Sequence, residues 1–109
     1  MKDLQFDAEH CSLARVSKVI QGKWTMVIIY LLSDSTLRFS EIKKSLPNVT
    51  DSNLTKDLRL LERYGVIQRK VYPVVPPKVE YSLTKMGKDF LPILDSISAW
   101  ATKYTDAQP

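Results

Sequence analysis

Three residue types are scarce in this 109-residue chain: there is one cysteine, one histidine and three glycines. A single cysteine allows no internal disulfide framework, which fits a reducing compartment, and the cytoplasm is expected. The histidine, His10, adjoins the cysteine, Cys11. Sequence neighbours seldom present their side chains to each other, and no third group is evident to orient such a pair, so nucleophilic catalysis has little footing. Gly22, Gly65 and Gly87 are scattered and make no phosphate-cradling loop. No metal-ligand cluster or spaced carboxylate pair occurs either. The chain therefore reads as a non-enzyme that needs no metal or cofactor. Long apolar runs are also missing. The best, Trp24–Leu32, is well short of the roughly 20 residues of a membrane helix, so no membrane partner is expected. The opening MKDLQFDAEH carries acids and no apolar core, so residues 1–10 read as an arm and not a signal peptide.

What is present is an ordinary globular mixture, 44% hydrophobic and 26% charged. It suffices for one domain spanning residues 1–109 with a modest core. The net charge of +4 is mild, but its placement is uneven. Residues 38–78 hold nine bases (Arg38, Lys43, Lys44, Lys56, Arg59, Arg63, Arg69, Lys70, Lys78) against Glu41, Asp51, Asp57 and Glu62. That segment is +5, and the remainder is −1. A basic region on a near-neutral remainder is the footprint of a phosphate-binding surface, provided that its acids and bases separate by face.

Periodicity places that charge. On a helix over Thr50–Tyr64, Leu54, Leu58 and Leu61 form one stripe, while Ser52, Lys56, Arg59 and Arg63 gather opposite. Thr50 is a sound N-cap and Gly65 a sound stop. Upstream, Phe39, Ile42 and Leu46 mark a shorter helix ended by Pro47, so residues 39–64 are a helix-turn-helix candidate. An ordinary helical hairpin with a solvated face fits the same pattern. Before it, Ser12 to about Gln21 reads as a first helix stopped by Gly22. A second, from Lys23, carries Trp24–Leu32 and should be buried nearly all round. Leu37-Arg38 reads as a very short strand.

After Gly65 the period changes to two. Residues 66–83 read as a hairpin, with Val79, Tyr81 and Leu83 alternating cleanly against Lys78, Glu80 and Ser82. Its tip, Pro73-Val74-Val75-Pro76-Pro77, is stiffened by three prolines. A hairpin straight after a helix-turn-helix is the wing of a winged helix. Thr84 should cap a last helix over residues 84–104, with Pro92 inside it. Met86, Phe90, Ile93, Ile97, Trp100 and Tyr104 give it more apolar surface than so small a core can take up. For Ile97, Trp100 and Tyr104, burial against a second copy is expected. The fold class expected is mainly α with a small β-hairpin: a winged helix-turn-helix with N- and C-terminal dimerisation helices.

These blocks resemble the HxlR-type winged-helix transcriptional regulators of bacteria, relatives of the MarR-like repressors. The resemblance is carried by Gly22-Lys23-Trp24, by Arg38-Phe39-Ser40-Glu41-Ile42, and by Leu54-Thr55 with Leu58-Arg59-Leu60-Leu61-Glu62. The wing from Val71 to Thr84 adds its most diagnostic piece. It implies a homodimer built from the first helix (Leu13, Val16) and the last. It also implies that Thr50–Tyr64 is the recognition helix and that Lys78 on the wing reaches a neighbouring backbone or minor groove. Ser52 stands where relatives often have a base, Val75 where a polar residue is common, and Ser12 where a proline is usual.

Double-stranded DNA is thus the expected partner. Ser52, Asn53 and Lys56 are the candidates for base edges, since the early turns of a recognition helix go deepest into the groove. Arg59, Arg63, Lys43, Lys44 and Lys78 are candidates for phosphates. Two-fold symmetry implies an inverted-repeat site. The other reading is a winged-helix module that docks a protein and no longer binds DNA. Cys11 also has two readings. A thiolate at a helix start, with Arg15 one turn on, suits a sensor of oxidants or electrophiles, as in some members of the family. Small buried cysteines are, equally, often inert. Trp24 and Trp100 suit either a small-molecule effector pocket or packing.

Overall fold

A computed structural model describes residues 7–105. Positions 1–6 of the expected arm lie outside the described residues. The end of that arm is ordered as a 3-10 turn, Ala8–His10. Asp7 caps it, accepting the Glu9 N–H at 3.1 Å and meeting His10 Nδ1 at 2.5 Å. Five helices and one hairpin follow: α1 Ser12–Val19, α2 Thr25–Leu31, α3 Phe39–Lys44, α4 Asp51–Arg63, β1 Ile67–Tyr72, β2 Lys78–Leu83 and α5 Lys85–Thr105.

The helix pair forms for the reasons its sequence supplies. Thr50 Oγ1 accepts the Asn53 N–H at 3.1 Å, satisfying one of the free donors of α4. Leu54, Leu58 and Leu61 sink completely into the core, joined there by Ile28, Ile29, Ile42 and Ile67. Gly65 ends α4 with φ 79°, a conformation that a Cβ would strain. At the start of α3 the Glu41 carboxylate reaches back to accept the Arg38 N–H at 2.8 Å. Asn48, with φ 58°, turns the chain between α3 and α4, and asparagine tolerates that region better than most residues.

Two expectations about the first helices are corrected. Helix α1 stops at Val19, not Gln21, and Gly22 is not its stop. Gly22 is where α4 approaches closely: a Cβ there would lie 2.4 Å from Asp57 Oδ1 and 2.8 Å from Thr25 Cγ2. Helix α2 is not buried all round. Its neighbours α4 and α5 cover Thr25, Ile28 and Ile29, while Val27 and Tyr30 face outward, Tyr30 at 62% exposure.

The hairpin pairs antiparallel from Ile67 opposite Leu83 to Tyr72 opposite Lys78. Leu37 adds a single bridge to Tyr81, with backbone bonds of 3.0 and 2.8 Å, in place of a short strand. Tyr81 and Leu83 are buried as their alternation predicts, but in β1 only Ile67 is. The outer half of the hairpin runs past the edge of the core, and its tip carries a cis Val75–Pro76 bond. Thr84 begins α5: its hydroxyl accepts the Gly87 N–H at 3.2 Å and lies 2.5 Å from the Gly65 carbonyl. Helix α5 passes through Pro92 and ends at Thr105, one residue beyond the expected span. Of its apolar stripe only Leu94 is fully buried; Phe90 and Leu91 are half-buried.

Candidate nucleic-acid interface

Because the leucines of α4 anchor one side of the helix, its other side must face out. Ser52, Lys56, Arg59 and Arg63 are all exposed there, and with Thr55 and Asp51 they line one open groove along the helix. Among the described residues none of Lys56, Arg59 and Arg63 takes part in an ion pair. Asn53 is exposed too but sits on the flank, lining a different cleft together with Lys56. Of the acids on α4, only Asp51 borders this groove. Asp51 is ion-paired with Lys43, Asp57 is turned inward against Gly22, and Glu62 stands beside Arg69 in a recess off the groove. Charge is therefore sorted by side, as a phosphate-binding surface requires.

The other predicted bases are less uniform. Lys44 is exposed and unpaired among the described residues, whereas Lys43 is committed to Asp51. Lys78 is half-buried, with its Nζ 3.3 Å from Glu80 Oε2 and 5.0 Å from the centre of the Tyr72 ring. The Glu80 carboxyl is held below its ordinary value, first by a hydrogen bond from Tyr72, which burial opposes, and then by Lys78 and Arg38. Lys78 is thus a cation with a partner already in place. Two residues escaped the sequence reading. Thr55 lies in the α4 groove, and Arg69 of β1 lies beside Arg59 and Glu62. The signal for Arg69 was available, since it is in phase with the buried Ile67 and so on the α4 side of the strand.

The residues assigned to a second copy are apolar and open. Leu13 on α1 is 78% exposed, Val16 is half-buried, and Ile97, Trp100 and Tyr104 are exposed along α5. The rings of Trp100 and Tyr104 lie 5.7 Å apart. A groove between α2 and α5 is lined by Met26, Val27, Tyr30, Leu94 and Ile97. Cys11 is half-buried at the N-cap of α1, where its Sγ accepts the Ala14 N–H at 3.4 Å. Among the described residues no cluster of His, Cys, Asp or Glu could hold a metal, and no helix is long and apolar enough to cross a membrane.

Residues 19–109 match the model of a known family, described as HxlR-like helix-turn-helix. Over 106 residues the chain is 44% identical to an HTH-type transcriptional regulator of Methanothermobacter thermautotrophicus, covering 97% of this chain and 81% of the relative. It is 45% identical over 100 residues to the HTH-type transcriptional regulator YdeP of Bacillus subtilis, covering 92% and 78%. Among solved structures it is similar to the redox regulator HypR in its reduced form, with a TM-score of 0.83 and 38% identity, covering 89% of this chain and 96% of that one. The first of these relatives is archaeal, so the kinship extends beyond bacteria. The first two are by name regulators of transcription, and HypR a redox regulator. With nearly the whole chain aligned and the helix pair and hairpin in the order that the match requires, the chain belongs to the HxlR-like helix-turn-helix family.

Proposed function

We propose that this chain regulates transcription as a homodimer, each copy seating α4 in the major groove of double-stranded DNA. The observation that carries this reading is the outer face of α4, where Lys56, Arg59 and Arg63 stand exposed with no acidic partner among the described residues. Ser52, Asn53 and Lys56 take the base edges, and Arg59, Arg63, Lys43, Lys44 and Lys78 hold phosphates. Arg69 joins the second group. Residues 39–64 read the duplex, 66–83 form the wing, and 84–104 bind the second copy, all within one domain. Leu13, Val16, Ile97, Trp100 and Tyr104 supply the apolar contact between copies. A two-fold dimer then requires an inverted repeat with half-sites about one helical turn, or a multiple, apart. The setting is the cytoplasm.

An effector acts on this dimer, either a small molecule or an oxidant or electrophile. HypR is by name a redox regulator, and in this chain the only thiol able to respond is Cys11. Thiol labelling at neutral pH tests that role, which requires Cys11 to react faster than an unperturbed cysteine.

Fluorescence anisotropy against duplex selected from a random pool tests the main reading. A dimer making about 6–10 phosphate contacts loses roughly 10³–10⁵ in affinity between 50 and 200 mM salt. Absence of any salt-sensitive binding would leave a protein-docking module instead. Ile97→Glu should yield monomers by sedimentation and weaken binding with them.

A further inference from the structure

A second cleft, of about 700 Å³, opens on the flank of α4 that carries no arginine. It lies between the residues leading into α2 and the turn Pro47-Asn48-Val49. Small-molecule sites span about 300–1,000 Å³, so the volume suits one. Its lining includes an acid that is turned inward. Asp57 is only 7% exposed, and among the described residues its carboxylate has neither a hydrogen bond nor an ion pair. An inward carboxylate contributes nothing to holding phosphates, and since no buried side-chain oxygen among the described residues lacks a partner, the unpaired Asp57 oxygens reach the solvent of this cleft. Space has nevertheless been left for it, because any side chain at Gly22 would collide with its Oδ1.

The rest of the lining is complementary in a particular way. Trp24 offers an aromatic face that already holds a cation, with Lys23 Nζ 5.2 Å from the ring centre. Lys23 and Lys56 both border the cleft, yet neither is within ion-pair distance of Asp57. Leu60 and Val49 add apolar surface. A simple cation would meet two ammonium groups here, and a simple anion would meet the carboxylate. A molecule carrying both charges satisfies each group.

We propose that this cleft binds a small amphoteric molecule with an aromatic body, of the class of aromatic amino acids and short peptides. Its ammonium meets Asp57, its carboxylate meets Lys23 and Lys56, and its ring lies against Trp24. Asn53 and Lys56 border the same cleft and are assigned to base edges, so occupancy withdraws them from DNA. That coupling rests on the DNA-binding reading, whereas the site itself does not.

Three probes that share a phenethyl unit test the site by calorimetry on the full chain: L-phenylalanine, phenethylamine, which lacks the carboxylate, and 3-phenylpropionate, which lacks the amine. Phenylalanine should bind about tenfold or more tighter than either, the effect of one added hydrogen bond to a charged group. Asp57→Asn should weaken phenylalanine and phenethylamine about tenfold and leave 3-phenylpropionate unchanged. Should that variant not fold by circular dichroism, the ranking on the unaltered chain decides. Equal affinities for the three, or no binding by any up to about 10 mM, overturns the proposal. The coupling is read separately. Phenylalanine binding that leaves duplex affinity unchanged refutes competition but keeps the site. Absence of duplex binding by the ligand-free chain, with phenylalanine binding intact, refutes only the DNA reading.

Discussion

Lys78 and Arg59 are both cations on the proposed DNA side, yet they should not count equally. Arg59 has no acidic partner among the described residues, while Lys78 shares its charge with Glu80 at 3.3 Å. Each phosphate neutralised contributes about 0.9 to the slope of log K against log salt. In a symmetric dimer Arg59→Ala removes two such contacts, so the slope should flatten by about 1.8. Lys78 makes a full contact only if it leaves Glu80, whose carboxylate the Tyr72 hydroxyl keeps in place and charged. Lys78→Ala should therefore flatten the slope by well under 1.8. Glu80→Gln should instead release the lysine and steepen the slope. In that background Lys78→Ala should recover the whole decrement of about 1.8. The assay is anisotropy with a labelled duplex titrated across salt. If Lys78→Ala alone already equals Arg59→Ala, the Lys78–Glu80 pair does not persist on DNA and the reasoning fails.

Other outcomes follow from single contacts. Gly22→Ala places a methyl 2.4 Å from Asp57 Oδ1 and 2.8 Å from Thr25 Cγ2 and should cost about 1–3 kcal/mol by thermal unfolding, with Gly22→Ala/Asp57→Ala recovering only the Asp57 part. Thr50→Ala removes the acceptor of the Asn53 N–H and should cost about 1 kcal/mol, a few degrees in Tm. In an NMR pH titration the Glu80 carboxyl should have its midpoint below 4.5 and return towards it in Tyr72→Phe. Since the fold favours the charged form, whatever stability this provides is present above pH 4.5 and disappears as pH falls through the lowered midpoint.

Where structure depends on nearest neighbours along the chain, the sequence is a good guide. Thr50, the stripe of Leu54, Leu58 and Leu61, and Gly65 specify α4 from start to stop, because each acts within a turn or two of itself. Position within the assembled fold is harder. Val27 is nearly as hydropathic as its buried neighbours Ile28 and Ile29, and only the placement of α4 and α5 decides which of them is covered. Asp57 looks like one more surface acid in a charge count, and its burial depends on a loop 35 positions earlier that happens to contain Gly22. Gly22 was misread for the same reason: a local rule says helix stop, and the true constraint lies across the core. Arg69 is legible by phase with Ile67, but alternation along β1 does not reveal that the strand flanks Arg59 and Glu62.

The Thr84 hydroxyl touches both the carbonyl that closes α4 and the first turn of α5. One oxygen thus joins the element proposed to read DNA to the one proposed to hold the second copy. In the proposed dimer such a joint would work as a crank, a tilt between partners at the far end of α5 swinging the two reading heads apart or together. Spacing along the duplex would then be set at a single threonine, far from any base.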